Sequence, residues 1–350
     1  MSEGTHLRDT TLYDKALGCL LGGLIGDAMG TPTEGRDYPY IEQHYGWVDD
    51  FEGSGTDDTV MKDFLAQSLI ATEGYATLDD WAATWLAHWD DVGDLKRMKF
   101  FISVVHTIQK LGMGRVVPRM AALGNMPSSS SAMCISPVGI VNACNPRQAA
   151  QQAYNLAALI HIHEVGFCQD GAACMAAAVA AGFDPAATVE SVLDAATQTI
   201  LPLSGREMLE RIAQIRAMAQ QHGEYRAFRA AVYALGDAFL CRIMCDSRET
   251  IPLALGLFEL AQGDLERCVT YCANFGRDAD TIASMAGAIA GALHGARAIK
   301  AEWVHKAVAQ ASTDQEQMAL DLARVALSKG ERERQAQERL AGLAQGMLDS

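Results

Sequence analysis

Apolar residues recur along this chain with the period of α-helices. Residues 60–69 and 318–325 each carry an apolar stripe with three- and four-residue spacing, and Trp81, Trp85 and Trp89 follow one another at four-residue intervals. A tryptophan stripe of this kind is typical of a helix face buried in a core. Period-two alternation of β-branched residues is almost absent. The pattern therefore predicts an all-α protein, a compact domain of many helices.

Four glycines, Gly18, Gly22, Gly26 and Gly30, recur at every fourth residue and share one face of a predicted helix. Because glycine costs about 1 kcal/mol per helix position relative to alanine, this stripe predicts that another backbone approaches the same face closely. The simplest arrangement is a central helix packed on all sides. Residues 30–35 (GTPTEG) then end the helix with Gly and Pro and place Glu34 just beyond it.

Length and composition predict one large domain over residues 1–350. The chain has 350 residues, 49% of them hydrophobic, and it contains no Pro- or Ser-rich linker that would mark a boundary. Residues 311–350 are predicted to form a C-terminal helical extension. Its charged GERERQAQER segment is interpreted as a solvated helix face or a helix–helix contact.

Charge and cysteine content narrow the classes of function. The formal net charge of −15 argues against nonspecific binding to nucleic acid or anionic membranes, although a metal or backbone donors can still attract a small phosphate-bearing substrate. The nine cysteines lack Cys-x2-Cys zinc spacing and read as small buried residues in a reducing compartment. The N-terminal sequence MSEGTHLRDT is too polar for a secretion signal. We therefore expect a cytoplasmic protein without nucleic-acid or membrane partners, and no particular oligomeric state is predicted.

Two acidic motifs open predicted helices more than two hundred residues apart, TDDT at 56–59 and DADT at 278–281. Either motif alone is explained as helix capping, since Asp and Thr satisfy exposed N–H groups at a helix start. If the two starts meet, four carboxylates share one small volume, and each like-charge pair at ~4 Å costs on the order of 4 kcal/mol at an effective dielectric of 20. Oxygen-only ligands suit Mg²⁺ or Mn²⁺ rather than zinc. Together with Glu34, the motifs predict a site for two such ions.

Three segments strongly resemble the ADP-ribosylglycohydrolase family, which includes dinitrogenase-reductase-activating glycohydrolases and the J1 crystallins: GCLLGGLIGDAMGTPTEG (18–35), GSGTDDTVM (53–61) and NFGRDADTIASMAGAIAGALHGA (274–296). Two weaker segments, SSSSAMCISPVG (128–139) and IHEVGFCQDGAA (162–173), fit in order between them, so the resemblance spans about residues 12–300. It implies an all-α fold with two Mg²⁺ or Mn²⁺ ions. The implied metal ligands are Thr56, Asp57, Asp58, Asp278, Asp280 and Thr281.

The resemblance also implies residues that contact the substrate. Glu34 matches the acidic residue of the family's GxPxE element, beside the metals and the bound ribose. His163 matches the histidine of the family's Thr-His segment, whereas His161 does not. We expect further substrate contacts from Ser129, Ser130, Ser131 and Met133, although residues 128–131 taken alone are typical of a flexible surface loop.

This chain departs from the family pattern around the substrate rather than around the metals. Residues 128–130 are serines where the family has Gly-Asn-Gly, Cys134 stands in place of the following Arg, and Arg277 replaces the second Gly of the family's GGDxDT motif. Every metal position is kept. The metal site and the type of bond cleaved are therefore carried over from the family, and the particular substrate is not.

The implied activity is that of a metal-dependent hydrolase that cleaves the ribosyl C1″ bond of an ADP-ribosylated substrate and releases ADP-ribose. The two ions would grip the ribose hydroxyls, and Glu34 or the metal-site Asp280 would act as base for the attacking water. The expected substrate is a modified protein side chain such as arginine; the alternative is a small ADP-ribosyl or ribosyl conjugate. A non-catalytic binder or crystallin-like structural protein is disfavoured, because Glu34 and all six ligand positions are intact.

Overall fold

The computed structural model describes residues 3–345, and helices form all of the regular secondary structure in this range. Helix makes up 71% of the structure, and no strand occurs within the described residues, which confirms the predicted all-α class. In chain order the α-helices are α1 (Glu3–Arg8), α2 (Thr11–Gly30), α3 (Tyr38–His44), α4 (Asp57–Ala71), α5 (Leu78–His88), α6 (Asp94–Arg97), α7 (Ile102–Gly112), α8 (Pro118–Ala121), α9 (Ser136–Val141), α10 (Pro146–Ala157), α11 (Phe167–Gly182), α12 (Val189–Gln198), α13 (Arg206–His222), α14 (Tyr225–Ala234), α15 (Ser247–Leu260), α16 (Leu265–Phe275), α17 (Ala279–His294), α18 (Ala301–Gln310) and α19 (Gln315–Gln345). Single 3₁₀ turns lie at Thr31–Thr33, Trp89–Asp91, His163–Val165, Gly236–Ala238 and Ala296–Ala298.

Helices α2 and α17 form the centre of the fold and pack on each other backbone to backbone. A Cβ atom on Gly22 would lie 2.2 Å from the carbonyl oxygen of Gly287, and one on Gly26 would lie 2.2 Å from that of Ala283. No side chain larger than hydrogen fits at these two positions. The close approach that the glycine stripe predicts is therefore confirmed.

The two central helices run antiparallel, and this places the end of α2 beside the start of α17. Gly30, the last residue of α2, meets the backbone nitrogen of Asp280 in the first turn of α17. Glu34 follows one 3₁₀ turn later. The glycine stripe thus determines where two parts of the predicted site lie relative to each other.

Other predicted features can be located on this frame. Trp81 and Trp85 on α5 are fully buried, as predicted for a core face, whereas Trp89 lies in the following 3₁₀ turn and is only partly buried against the core. Within the segment 311–350, which was predicted to be helical, residues 315–345 form α19, and residues 346–350 lie outside the described residues. The first half of α19 buries Met318, Ala319 and Leu322, whereas residues 334–344 are exposed. By length and composition, the segment His163–Gly182 passes the test for a membrane span, with a mean hydropathy of 1.2, but 83% of it is buried inside the protein. Core helices of soluble proteins pass the same test.

Candidate active site

The two acidic helix starts meet at one cavity. Asp57 and Asp58 lie in the first turn of α4, while Asp278 precedes α17 and Asp280 lies in its first turn. The hydroxyl of Thr281 donates a hydrogen bond to Oδ2 of Asp58 at 3.2 Å, which joins the two motifs directly. The four carboxylates line a cavity of about 350 Å³. The predicted convergence of the two motifs is therefore confirmed.

Asp27 of α2 aligns the start of α4 with the central helix pair. Its fully buried carboxylate accepts hydrogen bonds from the backbone N–H groups and the hydroxyls of Thr56 and Thr59, at distances between 2.6 and 3.0 Å. The Thr56 oxygen donates its proton to Asp27, so its lone pairs stay free for a cation. Sequence reasoning missed Asp27, although an acid within the otherwise apolar second half of α2 indicates that a polar partner lies nearby.

Burial and mutual repulsion shift the titration of the cavity carboxylates. Loss of hydration, followed by the charge of Asp27, raises the pKa of Asp57 to about 8. Loss of hydration, followed by the charge of Glu34, raises the pKa of Asp278 to about 7. The pKa values of Asp58 and Asp280 are also raised well above the usual range, for the same first reason. The cluster therefore carries negative charge at neutral pH only at a cost, unless cations compensate it.

The donor set fits hard divalent cations. The Oδ1 atom of Asp58 is buried and has no hydrogen-bond partner within residues 3–345, so a strong acceptor points at the site without compensation. Glu34, Asp278 and Asp280 each offer a carboxylate oxygen, and these oxygens all lie within 4.8 Å of one another. Carboxylates and hydroxyls are the ligands that Mg²⁺ and Mn²⁺ prefer. Five of the six predicted ligand residues thus line the cavity in a form that suits these ions, whereas Thr56 is not among the lining residues and its hydroxyl contacts Asp27.

Glu34 lies at the rim of the cavity, where two kinds of contact hold it. Its neighbour Gly35 donates its N–H to the carbonyl of Arg277 at 2.8 Å, and Arg277 donates its own N–H to the carbonyl of Arg36 at 2.8 Å. These backbone bonds tie the Glu34 turn to the residue before Asp278. Lys99 donates to Oε2 of Glu34 at 2.5 Å. Sequence reasoning missed Lys99, which lies outside every motif.

The predicted substrate-contact residues separate into two groups. Ser129, Ser130 and Met133 line the cavity, and the hydroxyl of Ser129 donates to Oδ2 of Asp278 at 3.2 Å. Ser131 does not line it; its buried hydroxyl lies 2.9 Å from Nδ1 of His161. Because residues 128–131 are all buried, the alternative interpretation of this segment as a flexible surface loop is wrong.

The structure does not place His163 at the cavity, and this corrects the predicted substrate contact. The His163 side chain is 73% exposed, lies against the carboxylate of Glu164, and has a left-handed backbone with φ of 62°. His161 instead is fully buried, and loss of hydration lowers its pKa to about 3. Its two ring nitrogens contact the hydroxyls of Ser128 and Ser131. The chain leaves the core between these two histidines. His161 therefore lies inside the core, and His163, two residues later, lies at the surface.

No sequence motif predicted one of the walls of the cavity. Residues 242–245, between α14 and α15, line the cavity, and Phe101 adds an apolar side chain. Cys245 belongs to this wall rather than to a closed core, and Cys241 is only half-buried. The interpretation of these two cysteines as simple buried residues was therefore wrong.

Several known proteins are similar to this chain in sequence or in fold. A family model described as ADP-ribosylglycohydrolase matches residues 8–343. The chain is similar to the uncharacterised protein YegU of Escherichia coli (strain K12), with 27% identity over 316 residues that cover 82% of this chain and 89% of that protein. It is also 27% identical to ADP-ribosylhydrolase ARH3 of Homo sapiens over 338 residues, covering 85% of this chain and 90% of that protein.

One solved structure, an ADP-ribosylglycohydrolase-related protein complex, matches 90% of this chain and 99% of its own with a TM-score of 0.65. Because the identity there is 20%, this likeness supports the fold alone. The resemblance inferred from the three sequence segments is confirmed. The family match also extends through most of α19, beyond the range of about 12–300 expected from the motifs.

Proposed function

Because this chain belongs to the ADP-ribosylglycohydrolase family, we propose that it is a hydrolase that depends on divalent cations, cleaves the ribosyl C1″ bond of an ADP-ribosylated substrate, and releases ADP-ribose. The observation that carries this proposal is the group of four buried aspartates that shares one cavity with Glu34. A structural protein would gain nothing from such a group, since each buried carboxylate destabilises the fold unless something compensates its charge.

The chain's own residues divide the work of the proposed reaction. Thr56, Asp57, Asp58, Asp278, Asp280 and Thr281 would hold two Mg²⁺ or Mn²⁺ ions. Bound ions of this kind would supply positive charge and Lewis acidity beside the ribose. Glu34 would accept a proton from the attacking water as the water oxygen bonds to C1″. The leaving group would depart with the electron pair of the broken bond and take up a proton from Glu34 or solvent where its charge requires one. Lys99 would orient the Glu34 carboxylate through the contact at 2.5 Å.

For the substrate, we propose a modified protein side chain such as arginine. The similarity to a protein named ADP-ribosylhydrolase supports an ADP-ribosylated substrate. Glu34 is 23% exposed at the rim, and Lys99 and Arg242 also line the cavity. A substrate attached to a larger protein would therefore meet the proposed base near the opening rather than deep in the core.

A second candidate is a small ADP-ribosyl or ribosyl conjugate, and the backbone of the serine segment favours its ribosyl form, which carries no diphosphate. The N–H of Ser129 donates to the carbonyl of Cys245 at 2.6 Å, and the N–H of Ser130 donates to the hydroxyl of Ser128 at 3.4 Å. Both donors are thus engaged within the protein and not free for diphosphate oxygens. A substrate that depends less on diphosphate contacts would suit this arrangement better.

Both candidates can be tested in one assay. EDTA-treated protein should be mixed with arginine-ADP-ribosylated protein, with ADP-ribosyl small-molecule conjugates and with simple ribosides, and the released ADP-ribose or ribose measured by chromatography. We expect turnover with Mg²⁺ or Mn²⁺ and none with Zn²⁺ or EDTA, because the ligand set is oxygen-only. Asp58→Asn is the negative control. Full turnover in EDTA would refute the metal dependence, and release of free ribose alone would favour the small conjugate.

A further inference from the structure

Arg277 adopts a backbone conformation that side chains disfavour. Its φ is 63°, in the left-handed region, where any residue with a Cβ is strained and glycine is not. Arg277 is one of five non-glycine residues with positive φ within the described chain, and it directly precedes Asp278. A residue in this conformation persists when its surroundings hold it. The contacts of the guanidinium therefore show what the residue does.

The Arg277 guanidinium and the Glu249 carboxylate together hold the backbone of one residue, Cys241. Arg277 donates from Nε to Glu249 Oε1 at 2.7 Å and from Nη2 to Glu249 Oε2 at 2.9 Å. The same Nη2 donates to the carbonyl of Cys241 at 2.6 Å, and Glu249 Oε2 accepts the N–H of Cys241 at 2.5 Å. Both backbone groups of Cys241 are thus held by one ion pair, and the Glu249 side chain is fully buried.

Cys241, whose backbone is held in this way, directly precedes the 242–245 wall of the cavity. The far end of this wall is fixed by the hydrogen bond from the Ser129 N–H to the carbonyl of Cys245. Met244 lines both the catalytic cavity and a neighbouring cavity of about 360 Å³, so a shift of the wall changes both spaces. The wall contains no regular helix of its own. Its position therefore depends on the anchors at its two ends.

Through its backbone, Arg277 also contacts the turn that carries Glu34. Its N–H and carbonyl pair with the carbonyl of Arg36 and the N–H of Gly35, beside Glu34. One residue thus sets the distance between the proposed base and the wall that faces it. The carboxylates of α4 are held independently, through Asp27.

We propose that Arg277, paired with Glu249, is a positioning residue that fixes the 242–245 wall against the Glu34 turn and so determines which part of the substrate beyond the ribose fits. This inference rests on the proposed function for its substrate. Cation binding does not depend on it, because the wall contributes no ligand. An arginine in place of the family's glycine therefore alters recognition while the metal site stays intact.

The test compares Arg277→Gln with Arg216→Gln. Arg216 of α13 forms an ion pair of the same kind with Glu259, at 2.7 Å. Glu259 lies on α15, as Glu249 does, but neither Arg216 nor Glu259 lines the cavity. Gln at position 277 keeps the strained backbone and removes the bidentate contact. The measurements are hydrogen exchange of residues 240–246 by mass spectrometry, Mn²⁺ binding by calorimetry, ADP-ribose binding in the presence of Mn²⁺, and KM and kcat.

For Arg277→Gln we expect faster exchange in residues 240–246, unchanged Mn²⁺ affinity, and ADP-ribose binding weakened roughly 2- to 30-fold, the range typical of changes that act on a site through an intermediate element. KM should change more than kcat. Arg216→Gln should leave all four readouts as in the wild type. If Arg277→Gln unfolds because Glu249 is left charged and buried, the double variant Arg277→Gln/Glu249→Gln removes that charge and should still show the faster exchange.

Two results separate this inference from the function on which it rests. Unchanged exchange of residues 240–246, or ADP-ribose affinity equal to that of Arg216→Gln, overturns the positioning role of Arg277. If wild-type protein loaded with Mn²⁺ binds no ADP-ribose at all, the proposed function fails. The exchange measurement then still decides whether Arg277 holds the wall.

Discussion

Replacing Gly30 with alanine tests whether the packing of α2 on α17 determines the geometry of the acidic site. A Cβ at Gly30 would lie 2.3 Å from the backbone nitrogen of Asp280 and 2.4 Å from its Cα. Ordinary contacts between carbon atoms are ~3.5–4.0 Å. The two backbones must therefore separate by about 1 Å, and no side chain can rotate away to prevent this. Asp280 moves with its backbone.

The expected effect on cation binding is large because metal sites tolerate little displacement. Ligand distances in a well-formed site agree with ideal values to about ±0.2 Å, and a shift of about 1 Å exceeds this tolerance severalfold. Overpacking a tight core also costs about 1–3 kcal/mol of stability. We therefore expect Gly30→Ala to lose most of its Mn²⁺ affinity and to melt at a lower temperature than the wild type.

Two glycines on the same helix serve as matched controls. A Cβ at Gly22 would lie 2.2 Å from the carbonyl oxygen of Gly287, about two turns from the site, so Gly22→Ala should destabilise the fold with a smaller effect on Mn²⁺ affinity. A Cβ at Gly23 would have its nearest neighbours at 3.7 Å, which is ordinary contact. Gly23→Ala should therefore be neutral or stabilising, since alanine favours helix by about 1 kcal/mol over glycine.

The assay is calorimetric titration of EDTA-treated variants with Mn²⁺, together with thermal melting with and without the ion. A cation that binds only the folded state stabilises it by an amount that grows with the logarithm of the ratio of cation concentration to Kd, so the two measurements should rank the variants in the same order. The reasoning is refuted if Gly30→Ala binds Mn²⁺ as tightly as the wild type, or if Gly23→Ala is as damaging as Gly30→Ala.

Three further predictions concern the site and the C-terminal helix. The Glu34→Gln variant should keep its cations, and its turnover should fall about 10²–10⁴-fold. The Asp280→Asn variant should lose a bound cation as well as turnover. Near-normal turnover of Glu34→Gln would show that an aspartate, not Glu34, is the base. The raised pKa values of Asp57 (about 8) and Asp278 (about 7) exceed the ordinary value near 4, so the folded apo protein binds protons that the unfolded chain releases. Their contribution to stability is therefore present at low pH and lost as pH rises through 7 and 8: the melting temperature in EDTA should fall between pH 5 and 8.5, and Mn²⁺ should reduce the fall. A chain that ends at Glu333 should melt at the same temperature as the full chain, because residues 334–344 of the helix are exposed. A chain that ends before α19 should be strongly destabilised. Equal melting temperatures of these two truncated chains would contradict the prediction.

Most of the fold and the acidic half of the site could be predicted because their signals are local. The period of apolar residues indicates helices, and a glycine at every fourth position indicates a backbone contact wherever the partner lies. Asp57, Asp58, Asp278 and Asp280 stand at helix starts that the local sequence marks clearly. Their convergence followed from electrostatics, since separate buried pairs would each need their own compensation.

The substrate side of the site could not be predicted because its residues lie in loops that other elements hold in place. Lys99 reaches Glu34 from the short segment between α6 and α7. The 242–245 wall is held by Glu249 together with Arg277, which lies 36 residues after Cys241 in sequence. The choice between His161 and His163 depended on where the chain leaves the core, which sequence spacing does not encode.

The packing and the electrostatics of this site act in opposite directions, and their balance explains why its helices are so tightly joined. Four buried carboxylates in one cavity repel one another, and a soft scaffold would relieve that repulsion by letting the helix starts move apart. The contact between α2 and α17 cannot yield in this way, because backbone meets backbone along the glycine stripe. The apo protein therefore either binds protons at these carboxylates or bears their repulsion, and a bound cation removes this cost, so part of the binding free energy depends on how closely the fold holds the carboxylates. Substitutions that loosen the glycine stripe should therefore reduce the carboxylate repulsion in the apo protein and, at the same time, lower its affinity for Mn²⁺.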